Sequence, residues 1–213
     1  MIFLENVKHL LTHDDGRTFA VIKSALEKSG YHLKYEVLNA TTHGNLPQNR
    51  ERIYIVGFLD KVMCDRFKFP EAIPLTKRLF GDVIDLADRK PAKYYLTNMD
   101  SVAVRRVHAH IVEKNIVYQH RRSMVRANKS CVCPTLTDNM GLGGHNVPLI
   151  LDDYGVRRLT PRECFDLQGF PADFKIPVMP DAFLYKQTGN SIPLPVVSRI
   201  AENIIKALSG KKC

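Results

Sequence analysis

A carboxyl group stands at the end of the first apolar run of the chain. Residues Ile2–Leu4 are typical of the end of a buried strand, and Glu5 and Asn6 follow directly. Ligands of open α/β sheets bind at strand ends, so Glu5 and Asn6 are predicted to belong to a site. A carboxyl group there can hydrogen-bond the edge of a heterocycle and share a proton with a ring nitrogen. A lone glutamate is more often a helix cap or a surface charge.

Two arginines, Arg50 and Arg52, stand two residues apart where another strand is predicted to begin. We expect the two side chains to do different work. One can offer its donors to a carbonyl or phosphate oxygen in a cleft, and the other can brace a loop or a carboxylate. An edge-strand ion pair with Glu51 is an equally good interpretation.

The charge of the chain favours a polyanionic partner. The formal net charge is +9, and residues 120–129 concentrate basic side chains without an acid among them, namely Arg121, Arg122, Arg126 and Lys129. This stretch is predicted to contact phosphates, although a solvated basic face is nearly as good an interpretation. Thr135 and Thr137 precede a glycine cluster at 141–144 and are candidates for contacts with a nucleic-acid backbone. A long hairpin loop is the alternative.

The cysteines and the hydropathy pattern argue against several classes of protein. The five cysteines are scattered and odd in number, which indicates reduced thiols in a cytoplasmic protein rather than a disulfide framework. Cys131 and Cys133 have a CxC spacing without a second ligand pair, so a metal site is not expected. The sequence shows no signal peptide and no apolar stretch of membrane-spanning length, so no membrane association is expected.

The first sixty residues alternate between strand and helix patterns. Helical spacing predicts a helix over 14–31, strand patterns follow at 31–40 and 52–59, and residues 41–51 are predicted to be a polar loop. Prolines then punctuate the chain to about residue 155, which predicts a small separate domain of short strands and loops. Within it, residues 79–86 suggest one or two helical turns.

Two helices are predicted in the last third of the chain. Thr160, Pro161 and Glu163 form a capping-box pattern that opens a compact helix within 158–171. A last helix is predicted within 190–210, with an apolar face of Val197, Ile200, Ala201, Ile204 and Leu208. The turn Gly189–Ser191 is placed just before that helix, where Asn190 or Ser191 would cap it or free N–H groups would meet a ligand.

The order of these motifs resembles the C-terminal part of the DNA (cytosine-5) methyltransferase family. The motifs are ENV at 5–7, QNRERIYIVGF at 48–58, RRLTPRECFDLQGFP at 157–171 and YKQTGNSIPLPVV at 185–197, with a variable basic region between the second and third. The resemblance implies an α/β fold, the C-terminal half of a doubly wound S-adenosylmethionine-dependent methyltransferase sheet with a small, mostly β target-recognition domain. It implies a partial catalytic domain at 1–60, target recognition at 61–156, and a return segment with the final helix at 157–213.

The resemblance also implies a role for each candidate residue on double-stranded DNA whose target cytosine is flipped out. Glu5 would hold the cytosine at its N3/N4 edge, and Arg52 would approach O2 and brace the loop of the nucleophile. Substrate binding would fall to Asn6, Gln48, Arg50, Thr135, Arg121, Arg122 and Arg126, with Gln48 and Arg50 as supporting positions. Asn190 and Ser191 would lie against S-adenosylmethionine.

Two family motifs that come before ENV are absent from this sequence: the cofactor-binding glycine turn and the Pro-Cys loop of the nucleophile. None of the five cysteines follows a proline. Without a thiolate to add to C6, the pyrimidine cannot be activated covalently. We therefore expect no activity from this chain alone and a complementing N-terminal methyltransferase subunit or fragment in a restriction-modification system. A truncated remnant and a non-enzymatic DNA-binding module are the alternatives.

The same reasoning predicts how the chain behaves by itself. The Glu5 strand and the last helix are expected to present apolar faces that pack inside a complete sheet in the family. Self-association or poor solubility is therefore expected for the isolated chain.

Overall fold

The computed structural model describes residues 1–121, 124–141 and 147–210, with only the backbone at Arg121. The chain divides into two compact units. One comprises 1–44, 51–74 and the chain from 195 onward, and the other comprises 45–50 and 75–194. This division differs from the predicted ranges 1–60, 61–156 and 157–213, because 61–74 folds with the first unit and 157–194 with the second. The functional assignment of those ranges stays a prediction.

The first unit contains a three-stranded sheet in the order β1-β4-β2. Its strands are β1 (Ile2–Val7), β2 (His32–Asn39) and β4 (Glu51–Phe58), and both outer strands run antiparallel to β4. β4 is buried from Ile53 to Phe58, as its continuous apolar run predicted. The prediction that Ile2–Leu4 is buried is wrong: β1 lies at the edge of the sheet, and Leu4 is 42% exposed.

Helices cover both faces of this sheet. They are α1 (Arg17–Lys28), α2 (Ala40–Gly44), α3 (Lys61–Arg66) and α8 (Leu194–Leu208), with single 3-10 turns at Lys8–Leu11 and His13–Gly16. Phe19 of α1 packs on one face, and Ile200 and Ile204 of α8 pack on the other. The buried face of α8 differs slightly from the predicted one, because Val196 and Ala207 complete it while Leu208 is exposed.

The second unit contains two sheets. Four antiparallel strands lie in the order β6-β5-β8-β9, and β3 pairs in parallel with β7. The bounds are β3 (Gln48–Asn49), β5 (Val117–Arg121), β6 (Met124–Asn128), β7 (Cys133–Pro134), β8 (Leu149–Asp152) and β9 (Gly155–Arg158). The segment 41–51, predicted as a loop, therefore contributes to α2, β3 and β4.

Among its described residues, this unit has four helices and one 3-10 turn at Ala92–Tyr94. The helices are α4 (Leu79–Asp82), α5 (Val102–His110), α6 (Pro161–Leu167) and α7 (Asp181–Asn190). Of the turns suggested at 79–86, the structure has only the short and irregular α4, in which Phe80 is extended and Gly81 has φ 99°. α5 and α7 were not predicted. Tertiary burial supports both, through Val107 of α5 and Leu184 and Tyr185 of α7.

The predicted capping box of α6 is confirmed. The Thr160 hydroxyl accepts a hydrogen bond from the Glu163 amide at 3.2 Å, and the Glu163 carboxylate accepts one from the Thr160 amide at 2.7 Å. The same carboxylate accepts hydrogen bonds from the fully buried Arg157 guanidinium at 2.8 and 2.9 Å. The Asp152 carboxylate pairs with Arg157 Nε. Burial opposes the charge of Arg157, but the hydrogen bonds that it donates to the Glu163 and Asp152 carboxylates, and their negative charges, outweigh burial and raise its pKa.

No helix in the described ranges is long and apolar enough to cross a membrane.

Candidate functional site

The two predicted catalytic residues form an ion pair in the first unit. Val7 on β1 lies opposite Arg52 on β4, and Glu5 is two residues before Val7, so Glu5 and Arg52 share one face of the sheet. Arg52 Nε lies 3.1 Å from Glu5 Oε1, and the side chains are 13% and 27% exposed. The strand pairing thus places a carboxylate and a guanidinium side by side at a site that solvent can still reach.

The surrounding residues hold the strand ends in place. Asn6 Oδ1 accepts a hydrogen bond from the Val7 amide at 2.8 Å, and Arg52 Nη1 donates to the Glu51 carbonyl at 2.8 Å. Glu51 pairs with Lys8 at 3.0 Å. The Glu51 carboxylate thus pairs with Lys8 and the Arg52 guanidinium with Glu5, so the alternative of an arginine–Glu51 ion pair is not supported.

Arg50 does different work from Arg52, as expected, but strand alternation is not the reason: Arg50 lies between β3 and β4 in the second unit, whereas Arg52 lies on β4 in the first. Its guanidinium is buried in the second unit and donates to three backbone carbonyls: Leu136 at 2.7 Å, Gly189 at 3.0 Å and Ser191 at 2.6 Å. Carbonyl oxygens are good acceptors for a planar fork of donors. This placement favours support of the Leu136 and Gly189–Ser191 segments over direct contact with a substrate.

Gln48 links the Leu136 segment to α6 through hydrogen bonds of its amide side chain. Its amide nitrogen donates to the Leu167 carbonyl at 3.0 Å, and its amide oxygen accepts from the Leu136 amide at 3.2 Å. Gln168, which sequence reasoning missed, is fully buried and donates to the Thr188 carbonyl at 2.8 Å. Buried amide side chains satisfy donors and acceptors at once, so Gln48 is also placed as a support.

The Gly189–Ser191 motif lies at the end of α7, not in a turn that begins α8. Asn190 is the last residue of α7, and Ser191 donates its hydroxyl to the Thr188 carbonyl at 3.0 Å, so neither residue caps a following helix as predicted. A Cβ atom at Gly189 would lie 2.1 Å from the Thr137 carbonyl. Glycine is required there because two backbone segments touch. Asn190 is exposed and makes no hydrogen bond through its amide side chain within the described structure.

The predicted DNA contacts of the second unit are placed only in part. Thr135 donates its hydroxyl to the Asn49 carbonyl at 2.6 Å, which joins it to the Gln48–Arg52 motif. Arg126 on β6 is exposed. Arg122 and the glycines at 143 and 144 lie outside the described residues, as does the side chain of Arg121. The phosphate-contacting stretch at 120–129 therefore stays a prediction.

The described cysteines differ in exposure. Cys133 and Cys164 are buried, and burial raises the pKa of both thiols. Burial also raises the pKa of Cys64. Cys131 is exposed. Protonated, buried thiols are poor nucleophiles, so Cys64, Cys133 and Cys164 do not supply the thiolate that attack on a cytosine ring requires. Nowhere in the described ranges do three His, Cys, Asp or Glu side chains gather as a metal site.

The Arg50 contacts predict a large effect on stability. Replacing Arg50 with Met leaves three carbonyls without their charged donor, and we expect the free energy of unfolding to fall by about 3–5 kcal/mol. Arg17→Met, which removes an exposed arginine of α1, is the matched control and should cost less than about 1 kcal/mol. Urea denaturation followed by circular dichroism measures both. Equal, small losses in the two variants would contradict the role given to Arg50.

The thiol environments predict selective alkylation. In the folded protein at pH 8, iodoacetamide should modify Cys131 rapidly and leave Cys133 and Cys164 unmodified, because the buried thiols are protonated and out of reach of the reagent. Peptide mapping by mass spectrometry reports each site separately. Modification in urea is the control that shows all three peptides are detectable, and rapid native labelling of Cys133 or Cys164 would contradict the burial described above.

Comparisons with known proteins agree on one family. The model of the C-5 cytosine-specific DNA methylase family matches residues 1–206. The type II methyltransferase M.Bsp6I of Bacillus sp. (strain RFL6) is 52% identical over 208 residues, which cover 98% of this chain and 66% of that protein. M.HaeII of Haemophilus aegyptius is 38% identical over 97% of this chain and 61% of its own length. The chain thus spans two thirds or less of these curated relatives.

Solved structures show the fold. The Dnmt2 methyltransferase of S. pombe matches with a TM-score of 0.67 at 19% identity, over 98% of this chain and 67% of that chain. The methyltransferase EhMeth of Entamoeba histolytica matches with a TM-score of 0.67 at 19% identity, over 97% and 62%. With the ENV, QNRER and GNS motifs in place, the chain belongs to the C-5 cytosine-specific DNA methylase family and has an α/β methyltransferase fold.

Proposed function

We propose that this chain is the C-terminal portion of a site-specific DNA (cytosine-5) methyltransferase of a restriction-modification system, acting on DNA in the cytoplasm. It supplies the cytosine-binding Glu5 and Arg52 and the target-recognition region. The Pro-Cys nucleophile and most of the cofactor site come from an N-terminal portion that this sequence does not contain. The observation that carries the proposal is the Glu5–Arg52 pair. The motifs stand in the family's order, and the family match covers residues 1–206.

The pair suits the chemistry of cytosine activation. A carboxyl group that binds the N3/N4 edge holds the base and polarises N3, which makes C6 more electrophilic. Arg52 fixes the direction of that carboxyl group through its Nε contact at 3.1 Å and brings donors toward O2. Both side chains are partly exposed on a rigid antiparallel strand pair, so a flipped base can approach them without unfolding the sheet.

Target recognition is assigned to the second unit, which has the four-stranded sheet and, among the described basic residues of 120–129, the exposed Arg126 and Lys129. Arg126 on β6 offers a phosphate contact, and Thr135 is fixed against Asn49, beside the segment that continues into Arg52. Asn6 follows Glu5 and is exposed at the same strand end. Gln48 and Arg50 serve these contacts indirectly by holding the Thr135–Leu136 backbone.

Members of this family use S-adenosylmethionine, and the chain fits only the edge of such a site. Asn190 presents its amide side chain to solvent, and Ser191 is held by Arg50 through its carbonyl. These residues can orient a cofactor by hydrogen bonds. The methyl group itself is supplied by S-adenosylmethionine, and the glycine turn that holds most of that molecule in the family is absent from this sequence.

Methyl transfer tests the proposal directly. With labelled S-adenosylmethionine and mixed-sequence DNA, we expect no transfer by this chain alone. We expect transfer when an N-terminal methyltransferase fragment with the glycine turn and the Pro-Cys loop is added. Glu5→Gln keeps the shape but removes the acid, so the rate of the mixture should fall by about 100-fold or more.

Glu27→Gln, on the exposed side of α1, is the matched control and should leave the rate of the mixture unchanged. An inactive mixture that still binds DNA would overturn the split of functions proposed here for that pairing and would favour a DNA-binding module or a remnant. Equal rates for Glu5→Gln and Glu27→Gln would remove Glu5 from the site.

The exposed apolar side chains also support self-association of the isolated chain. On β1, Leu4 and Val7 are exposed at the edge of the sheet, and on α8 Ile205 is 64% exposed. Sedimentation velocity should show association that increases with concentration, and Leu4→Lys should weaken it by placing a charge on the strand edge. Val21→Lys, at an exposed position on α1, is the control. A stable monomer that binds no hydrophobic dye would contradict the prediction.

A further inference from the structure

A cavity that is open to solvent lies in the second unit between α5 and the four-stranded sheet, and His120, the first residue of the 120–129 stretch, lines it. Its volume is about 200 Å³. Its walls are mainly aliphatic, with Ala103, Val104 and Val107 from α5 and Leu149 from β8, while His120 of β5 and Arg158 of β9 add polar groups. The cavity thus combines an apolar wall with one permanently charged side chain.

Arg158 is unusual at this position. It is the cross-strand partner of Leu149, so both side chains lie on the face of the sheet that borders the cavity. Its Nε is buried without a hydrogen-bond partner, and no ion pair or side-chain hydrogen bond of Arg158 is found within the described structure. A donor taken out of water without an acceptor costs free energy, which an acceptor in the cavity would recover.

The neighbouring residue, Arg157, has the carboxylate partners that Arg158 lacks within the described structure. Arg157, on the opposite face of β9, has the Asp152 and Glu163 carboxylates within hydrogen-bond distance and is fully satisfied. Both carboxylates are buried and form ion pairs with Arg157. The two adjacent arginines therefore differ in their partners and in their exposure: Arg157 is fully buried against two carboxylates, and Arg158 is half-buried and faces the cavity.

We propose that this cavity is a binding site for a small monocarboxylate with an apolar body, such as an aromatic or short branched acid. The carboxylate accepts hydrogen bonds from the Arg158 fork, and the hydrocarbon part packs against Val104, Val107 and Leu149. A single guanidinium balances a single negative charge. Apart from His120 and Arg158, the lining side chains offer no donors for the further oxygens of a phosphate dianion, which disfavours that ligand.

Binding of benzoate to the full chain tests this, followed by two-dimensional NMR of the backbone amides. We expect saturable shifts at Ala103 and Val104 with benzoate and none with benzamide, which has the same shape without the charge. Arg158→Met should weaken benzoate binding about tenfold or more, because the charge-assisted hydrogen bonds are lost. Arg106→Met, on the exposed face of α5, should leave it unchanged.

Three results would overturn the proposal: no saturable shifts with benzoate, equal binding of benzamide, or equal binding of inorganic phosphate. If Arg158→Met disturbs the fold, Ala103→Leu provides a second test that keeps the arginine. The larger side chain fills the cavity and should abolish benzoate binding while the remaining spectrum is retained. Undiminished binding to Ala103→Leu would place the ligand elsewhere and would also overturn the proposal.

Discussion

The buried guanidinium of Arg50 is the interaction on which the second unit depends. It joins carbonyls that are 86, 139 and 141 residues away along the chain, at Leu136, Gly189 and Ser191. A buried cation is tolerated only when its donors are satisfied, so these segments cannot move apart independently. The glycine at 189 follows from the same constraint, because a side chain there would collide with the Thr137 backbone. Gln48 and Gln168 complete the arrangement with amide hydrogen bonds.

The two arginines of the QNRER motif have different roles because they belong to different units of the chain. Arg50 reaches carbonyls in the second unit, and Arg52 reaches the Glu5 carboxylate in the first. The two arginines are chemically identical, yet one is buried as a support and the other is partly exposed beside a carboxylate. Residues two apart on one strand share a face, so the two roles are separated by the break between β3 and β4, where the second unit ends at Arg50 and the first resumes at Glu51.

The RRLTPRE segment repeats this division. Arg157 is neutralised by Asp152 and Glu163, and Glu163 also closes the capping box of α6, so one carboxylate supports both a helix end and a buried charge. Arg158 faces the cavity beneath α5 instead. In both motifs one arginine is buried and the other is partly exposed. A guanidinium suits the buried position because it binds several acceptors at fixed angles.

Local patterns determined a good part of this protein from the sequence alone. The helix at α1, the strands β2 and β4 and the capping box of α6 follow from periodicity and from hydrogen bonds between residues three apart, which need no distant partner. The different roles of Arg50 and Arg52 come from the break between β3 and β4 rather than from strand alternation. The pairing of Glu5 with Arg52, the edge position of β1 and the helices α5 and α7 were decided only by tertiary structure. So were the carbonyl partners of Arg50, because contacts across more than eighty residues leave no periodic signal in the sequence.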